Sequence, residues 1–88
     1  MRTVTIYTTK LCGYCFAAKR LLKQKGVEYE EIDVSFSPKA RQDMTARANG
    51  GRSVPQIFVD DRHVGGCDEL HALEQAGELD TLLAGSGG

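Results

Sequence analysis

Two cysteines separated by two residues are the part of this sequence best suited to chemistry. The segment Cys12-Gly13-Tyr14-Cys15 follows a run of β-branched residues and opens a stretch of helical periodicity. Unpaired N–H groups at a helix N-terminus carry partial positive charge, so they stabilise a thiolate and lower its pKa. A thiolate is the nucleophile of disulfide exchange, and residues i and i+3 share a helix face, so Cys15 can reach the Cys12 sulfur. The placement predicts an exposed, attacking Cys12 and a more buried Cys15.

The same spacing also occurs in zinc sites and between inert core thiols. A zinc site needs two further ligands at suitable spacing, and the remaining candidates are Cys67, His63 and His71. Cys67 and His71 are four residues apart, which suits a shared metal but also a helix-start thiol beside a solvated histidine. We assign no metal ligand. Cys67 is interpreted as an exposed bystander or a third redox thiol, and both histidines as surface residues.

The elements around the cysteine pair are predicted from hydrophobic periodicity and from turn residues. Strands are expected at 3–8, 27–34, 56–59 and 62–65, and helices at 13–25, 38–48 and 67–75, with a last helical turn or two at 78–83. The β-α-β start implies a right-handed parallel crossover, and the hairpin after Pro55 adds an antiparallel pair. The prediction is an α/β fold, a mixed four-stranded sheet flanked by helices in the order β-α-β-α-β-β-α.

Finer features of two helices are also predicted. The side of the first helix that faces the core is expected to carry four apolar residues, Phe16, Ala17, Leu21 and Leu22. Ser37 followed by Pro38 predicts an N-cap and a first-turn proline for the second helix.

Composition restricts the class of protein. The 88 residues include 11 Lys and Arg against 12 Asp and Glu, and this net charge of −1 argues against a dedicated binder of nucleic acid or anionic membranes. No apolar run approaches the roughly 20 residues of a membrane span, and the first residues lack the apolar core of a signal peptide. Three cysteines are too few for a secreted disulfide framework, so a cytoplasmic location is expected. One domain is expected over 1–84, and 85–88 is expected to be a flexible tail.

Three separated motifs make the chain resemble the glutaredoxin family, in particular its small bacterial dithiol members. The motifs are Cys12-Gly13-Tyr14-Cys15, Ser53-Val54-Pro55-Gln56-Ile57-Phe58 and Gly65-Gly66-Cys67-Asp68. The resemblance implies a thioredoxin-like fold and a glutathione-dependent thiol–disulfide oxidoreductase in which Cys12 is the nucleophile and Cys15 resolves mixed disulfides. The implied partners are glutathione and glutathionylated or disulfide-containing proteins, and a monomer is expected.

The resemblance also assigns glutathione-binding roles. Val54-Pro55 resembles the family's cis-proline segment, whose backbone pairs with the cysteinyl part of glutathione. Gly66, Cys67 and Asp68 resemble the loop that takes the γ-glutamyl end, with Asp68 for the ammonium and backbone amides for the carboxylate. Asp68 is expected to cap the third helix as well.

The other ligand assignments concern three side chains. Lys10 is expected to lower the pKa of Cys12 and to pair with the glycyl carboxylate of glutathione. Arg52 is expected at the same carboxylate. Tyr14 is expected either to pack against glutathione or to be an exposed ring at a helix start.

The sequence departs from the family pattern at Gly13, where most dithiol members have proline. Glycine leaves the helix start less rigid and with an extra N–H donor, so the reduction potential can lie outside the usual range of about −200 to −230 mV. Glycine here also occurs in the single-cysteine branch of the family, which shares a [2Fe–2S] cluster between two protomers. The chain keeps Cys15 and lacks that branch's longer intervening stretch, so a glutathione-ligated [2Fe–2S] dimer is the alternative rather than the leading hypothesis. A redoxin reduced by thioredoxin reductase is disfavoured by the Gly-Gly-Cys-Asp loop.

Overall fold

A mixed four-stranded sheet organises the molecule, for which the computed structural model describes residues 2–84. Its strands are β1 (Val4–Thr8), β2 (Tyr29–Asp33), β3 (Gln56–Val59) and β4 (Arg62–Gly65). Their spatial order is β2-β1-β3-β4, with β1 parallel to β2 and antiparallel to β3, and β3 antiparallel to β4. The predicted mixed sheet with one parallel crossover is confirmed.

The helices follow the predicted order closely. They are α1 (Gly13–Gln24), α2 (Pro38–Arg47), α3 (Cys67–Gln75) and α4 (Leu79–Ala84). The Ser37 hydroxyl accepts from the Ala40 N–H at 3.1 Å, which confirms the predicted N-cap of α2. The predicted tail at 85–88 lies outside the described residues. Across 2–84 no helix is both long enough and apolar enough to cross a membrane.

The larger core lies between one face of the sheet and helices α1, α3 and α4. Val4 and Ile6 from β1 point into it together with Ile57 and Val59 from β3. The helices contribute a second set of buried side chains, which includes Ala18, Leu21, Leu22, Leu70, Leu79 and Leu83. Helix α1 packs on the alternate residues of β1 and β3 that point to this face of the sheet. This packing positions the start of α1, where the cysteine pair lies.

A smaller core lies on the opposite face of the sheet, under α2. Tyr7 and Phe58 contribute the strand residues, and Met44 and Ala48 contribute from α2 and its C-cap. The rings of Tyr7 and Phe58 pack edge to face with centroids 5.7 Å apart. Because both faces of β1 and β3 are covered, all residues of these two strands are buried.

Phe16 departs from the prediction for α1. Its side chain is 69% exposed, whereas Cys15, Ala18 and Leu22 are at most 1% exposed. These three residues are spaced three and four apart and define the buried face of the helix. Phe16 lies about 100° around the helix from Cys15, so it turns towards solvent. The expectation that Phe16 faces the core is wrong.

Candidate active site

The cysteine pair lies at the junction of β1 and α1. Cys12 is the N-cap of α1 and is half-buried, and Cys15 in the first turn is 1% exposed. The two residues form a disulfide with their Cα atoms 5.2 Å apart. The Cys15 N–H also donates to Cys12 Sγ at 3.0 Å. The first turn of α1 has no acidic residue to oppose a thiolate at this N-terminus. The predicted division into a more accessible Cys12 and a buried Cys15 is confirmed.

The segment that precedes β3 lies against Cys12. The Val54–Pro55 peptide bond is cis, as the resemblance implied. The carbonyl oxygen of Val54 lies 3.8 Å from Cys12 Sγ. The backbone of Val54 is therefore within reach of any group that becomes bonded to the Cys12 sulfur.

One buried and one half-buried polar side chain, Gln56 and His63, hold this segment in place. The Gln56 amide nitrogen donates to the Ser53 carbonyl at 3.0 Å, so its oxygen is the acceptor for His63 Nε2 at 2.6 Å. Gln56 is only 5% exposed, and His63 stacks on Phe58 with ring centroids 4.9 Å apart. The interpretation of His63 as a surface residue is wrong, because its imidazole is half-buried by this stack.

The third motif forms the turn from β4 into α3. Gly66 is the N-cap, and its N–H donates to the Glu69 carboxylate at 2.7 Å. Gly65 has φ of +117°, and a Cβ at this position would lie 2.9 Å from Glu69 Cγ, so the turn requires glycine. Asp68 is the second residue of the helix and is exposed. The expected capping role of Asp68 is wrong, because Glu69 has the N3 position from which a carboxylate reaches back to the N-cap N–H.

Cys67 is more enclosed than the sequence suggested. It is 8% exposed, and burial, followed by the charges of Asp68 and Glu69, raises the pKa of its thiol. His71 Nδ1 donates to the Cys67 carbonyl at 2.9 Å and lies 3.4 Å from its sulfur. The interpretation of Cys67 as an exposed bystander is therefore wrong, as is that of His71 as a surface residue, since His71 is half-buried. Burial keeps the Cys67 thiol protonated and poorly nucleophilic.

These segments enclose a cleft beside the cysteine pair, which we call the α3 cleft. Its volume is about 300 Å³, and it is lined by Tyr14, Ser53, Val54, Pro55, Gly66, Cys67, Asp68 and Glu69. All the predicted ligand residues except Lys10 and Arg52 are thus brought together. Ser53 and Glu69 were not predicted to line it. The position of Glu69 three residues after Gly66 is the sequence signal that indicates its role.

The two predicted cationic ligands lie outside the α3 cleft. The Lys10 ammonium lies 3.5 Å from the Asp33 carboxylate on the exposed surface. Hydrogen bonds from Ser35, followed by Lys10, hold the pKa of Asp33 below its usual value. Arg52 lines a separate groove with residues of α2, and its carbonyl accepts from the Arg41 guanidinium at 3.2 Å.

The part of the chain that the structure describes contains no set of ligands for the alternative zinc site. Within 2–84, no three His, Cys, Asp or Glu side chains are grouped as a metal site. Cys67 and His71 are in contact, but His63 is engaged with Gln56 on β3.

Fold and site together define a dithiol protein of thioredoxin-like architecture. The family model for glutaredoxin matches residues 4–64. The glutaredoxin of Pseudomonas aeruginosa is 52% identical over 84 residues, which cover 96% of this chain and 99% of that protein. The solution structure of the Brucella melitensis glutaredoxin is 52% identical, with a TM-score of 0.83 over 94% of this chain and 89% of that one. A buckwheat glutaredoxin, solved as a glutathione complex, is 29% identical, with a TM-score of 0.84 over 96% of this chain and 78% of that one.

The chain belongs to the glutaredoxin family. Its redox-active pair, Cys12 and Cys15, makes it a thiol–disulfide oxidoreductase. The predicted thioredoxin-like fold is confirmed by the likeness to the two solved glutaredoxins.

Proposed function

We propose that this oxidoreductase depends on glutathione, and that it reduces protein–glutathione mixed disulfides and protein disulfides. The observation that carries the proposal is the α3 cleft, which joins the Val54 backbone to the start of α3, with the Val54 carbonyl 3.8 Å from Cys12 Sγ. The buckwheat relative, solved as a glutathione complex, supports the same ligand. We extend the proposal to a monomer that works in the cytoplasm, where glutathione keeps thiols reduced.

Each end of glutathione has a complementary group in this proposal. The Val54 backbone pairs with the extended cysteinyl residue whose sulfur bonds to Cys12. The carboxylate of Asp68 binds the γ-glutamyl ammonium, because the α3 cleft is lined by two acids and no Lys or Arg. The N–H groups of Cys67 and Asp68 bind the γ-glutamyl carboxylate, since the first N–H groups of a helix have no intrahelical partner. Lys10 and Arg52 lie at the surface beyond this cleft, and their pairing with the glycyl carboxylate is proposed on the family resemblance alone.

The reaction with a mixed disulfide proceeds in two exchanges. The Cys12 thiolate attacks the glutathione sulfur, the substrate S–S bond breaks, and the protein thiolate leaves and takes up a proton. A second glutathione thiolate then attacks the Cys12-bound sulfur, which releases glutathione disulfide and regenerates the Cys12 thiolate. The Cys15 N–H that lies 3.0 Å from Cys12 Sγ stabilises the negative charge that returns to this sulfur.

The reaction with a protein disulfide also needs Cys15. Cys12 forms a mixed disulfide with the substrate, and Cys15 attacks the Cys12 sulfur to release the substrate as a dithiol. The two residues are close enough to form the intramolecular disulfide that this step leaves. Two glutathione molecules then reduce the pair, and they leave as glutathione disulfide.

Turnover of a glutathione mixed disulfide of a small thiol, coupled to glutathione reductase and NADPH, tests the proposal. We expect Cys12→Ser to lower the rate at least 10³-fold, to background, because no thiolate remains at the site. Cys15→Ser is the matched control at the other end of the pair, and it should keep turnover of this substrate while losing reduction of protein disulfides.

Activity that persists in Cys12→Ser, or no activity in the wild-type protein, would contradict the proposal. In the second case, visible absorbance after anaerobic purification with glutathione would favour the glutathione-ligated [2Fe–2S] dimer instead.

A further inference from the structure

The outer side of α1 has a groove that the proposed chemistry does not use. The groove has a volume of about 480 Å³ and is lined by Phe16, Lys19, Arg20, Lys23 and Gln24. An adjoining depression shares Phe16, Arg20 and Gln24 with it and reaches Gly13, the residue after Cys12. We call the two together the α1 groove. From Gly13 to Gln24 it extends about 16 Å along the helix, and it begins at the residue that follows Cys12.

The α1 groove has an excess of positive charge. Helix α1 contains three basic residues and no Asp or Glu, and no acidic residue lines either part of the groove. Lys19 is neutralised by Glu31 at 3.0 Å. Among the residues that the structure describes, Arg20 and Lys23 form no ion pair, and both are exposed. In a chain of net charge −1, these two cations form a localised patch beside the active site.

An apolar side chain lies at the end of this patch nearest to the active site. Phe16 is 69% exposed and four residues before Arg20, so the two share one helix face with Lys23 one turn further on. An exposed aromatic ring next to unpaired cations is suited to a polypeptide segment that carries an apolar residue and carboxylates. Aromatic and Arg side chains are also the residues that most often anchor protein interfaces.

We propose that the α1 groove docks the protein part of the substrate and favours segments in which acidic and apolar residues flank the reacting cysteine. The proposal rests on the proposed function, because it assigns the two halves of a mixed disulfide to two different sites, the α3 cleft and the α1 groove. Glutathione occupies the α3 cleft, whose lining includes Asp68 and Glu69, and an acidic polypeptide would be repelled there. The same polypeptide is attracted to Arg20 and Lys23 in the α1 groove.

Kinetics with two matched peptides test the docking. Both contain one glutathionylated cysteine next to a leucine, one with flanking glutamates and the other with flanking lysines. For Arg20→Glu/Lys23→Glu we expect kcat/KM to fall about tenfold for the acidic peptide and to rise for the basic one. The loss should shrink to less than twofold in 1 M salt, where the screening length is about 3 Å. Phe16→Ser should lower kcat/KM for both peptides by a few-fold.

Lys39→Glu/Arg62→Glu is the matched control, because it changes the net charge equally at two exposed residues that line neither the α3 cleft nor the α1 groove. Its kcat/KM for the acidic peptide should stay within about twofold of wild type. The proposal would be overturned if kcat/KM for the acidic peptide fell equally in the two double variants. It would also be overturned if kcat/KM of Arg20→Glu/Lys23→Glu fell equally for the two peptides.

A binding measurement separates the docking from the chemistry. The two peptides are made with serine in place of the glutathionylated cysteine and are titrated into the protein while backbone amide shifts are followed by NMR. The acidic peptide should shift amides in 16–24, and the basic peptide should not. If the protein does not turn over glutathione mixed disulfides but the acidic peptide still shifts amides in 16–24, only the proposed function is contradicted. If turnover is observed and these shifts are not, only the docking proposal is contradicted.

Discussion

The α3 cleft and the α1 groove both begin next to the cysteine pair, the cleft at Tyr14 and the groove at Gly13, and they differ in charge and in construction. The α3 cleft is lined by Asp68 and Glu69, whereas the α1 groove is lined by Lys19, Arg20 and Lys23. The walls of the cleft are turns tied by short hydrogen bonds, and those of the groove are long side chains on a helix surface. This difference fits the two proposed roles, in which one site orients a small ligand and the other attracts a larger partner.

The hydrogen bonds of the α3 cleft explain its defined shape. Gln56 ties the loop before β3 to His63 on β4, and Glu69 ties the N-cap of α3 to its first turn. Ser53, Gly66 and Glu69 line the cleft and each takes part in one of these bonds, so a change at either bond is expected to move the wall. In the α1 groove, Arg20 and Lys23 are unpaired among the described residues and can adapt to different partners.

Gly65→Ala should have the largest effect, and of the two sites it should change the α3 cleft. The new methyl group would lie 2.9 Å from Glu69 Cγ at a φ of +117°, so Glu69 must rotate away from the Gly66 N–H. We expect unfolding to become easier by about 2–3 kcal/mol in a urea titration. Turnover of the small mixed disulfide should also fall more than tenfold.

Gly77→Ala is the control for Gly65→Ala. This glycine also has a positive φ, +74°, but no atom lies within 4 Å of the added methyl group. Its expected cost is about 1 kcal/mol, from backbone conformation alone. Equal losses at the two positions would mean that the contact with Glu69 does not shape the cleft.

Asp68→Asn tests whether the α3 cleft and the α1 groove bind their ligands independently. The change removes the carboxylate proposed for the glutathione ammonium, so we expect the KM for the small mixed disulfide to rise about tenfold with kcat little changed. NMR shifts caused by the unreactive acidic peptide should remain within α1. Asp61→Asn removes an exposed carboxylate that lines neither site and should leave the KM unchanged. A similar KM for both variants would contradict the role given to Asp68.

Glu31→Gln should have the smallest effects, and it concerns the α1 groove. The hydrogen bond from Thr8, at 2.7 Å, and then the interactions with Lys19 hold the pKa of Glu31 below its usual value. Removing the charge frees Lys19, so we expect kcat/KM for the acidic glutathionylated peptide to rise about two- to threefold.

The free energy of unfolding of Glu31→Gln, compared with that of wild type, shows how the contribution of the Glu31 charge depends on pH. Because the folded-state pKa of Glu31 is lowered, its charge stabilises the fold above the ordinary glutamate pKa, and the contribution disappears as the pH falls through the lowered value. Because Glu31 is partly exposed and solvent screens its charge, wild type should be more stable than the variant by roughly 0.5 kcal/mol at pH 7, and by much less at pH 3. An equal difference at the two pH values would contradict a contribution from the Glu31 charge.

Much of the fold follows from local patterns in the sequence. β3 and β4 have the predicted bounds, and α2 begins after the predicted Ser37 cap, because strand alternation and N-cap residues act within a few positions. Six of the residues that line the α3 cleft were predicted from the family motifs, and Ser53 and Glu69 were not. The hydrogen bonds of the cleft were not predicted either, since Gln56 and His63 are brought together by strand pairing.

The wrong predictions concern burial, which depends on how elements pack. Phe16 and Ala18 are equally plausible as core residues from composition, but the orientation of α1 on β1 buries only Ala18. Cys67 was expected to be exposed, yet the turn at Gly66 directs it inwards and leaves it 8% exposed. The α1 groove was missed for the same reason. The absence of Asp and Glu from the whole of α1 was visible in the sequence, but which cations lack partners depends on the tertiary structure.

NMR titration with S-methylglutathione tests the central claim most directly, because this analogue cannot form a disulfide. If the α3 cleft is the glutathione site, amide shifts should be concentrated at Val54, Gly66 and Asp68 and be absent from Arg20 and Lys23. Asp68→Asn should weaken the binding about tenfold. Shifts concentrated along α1, or no saturable shifts at millimolar analogue, would contradict the assignment of glutathione to this cleft.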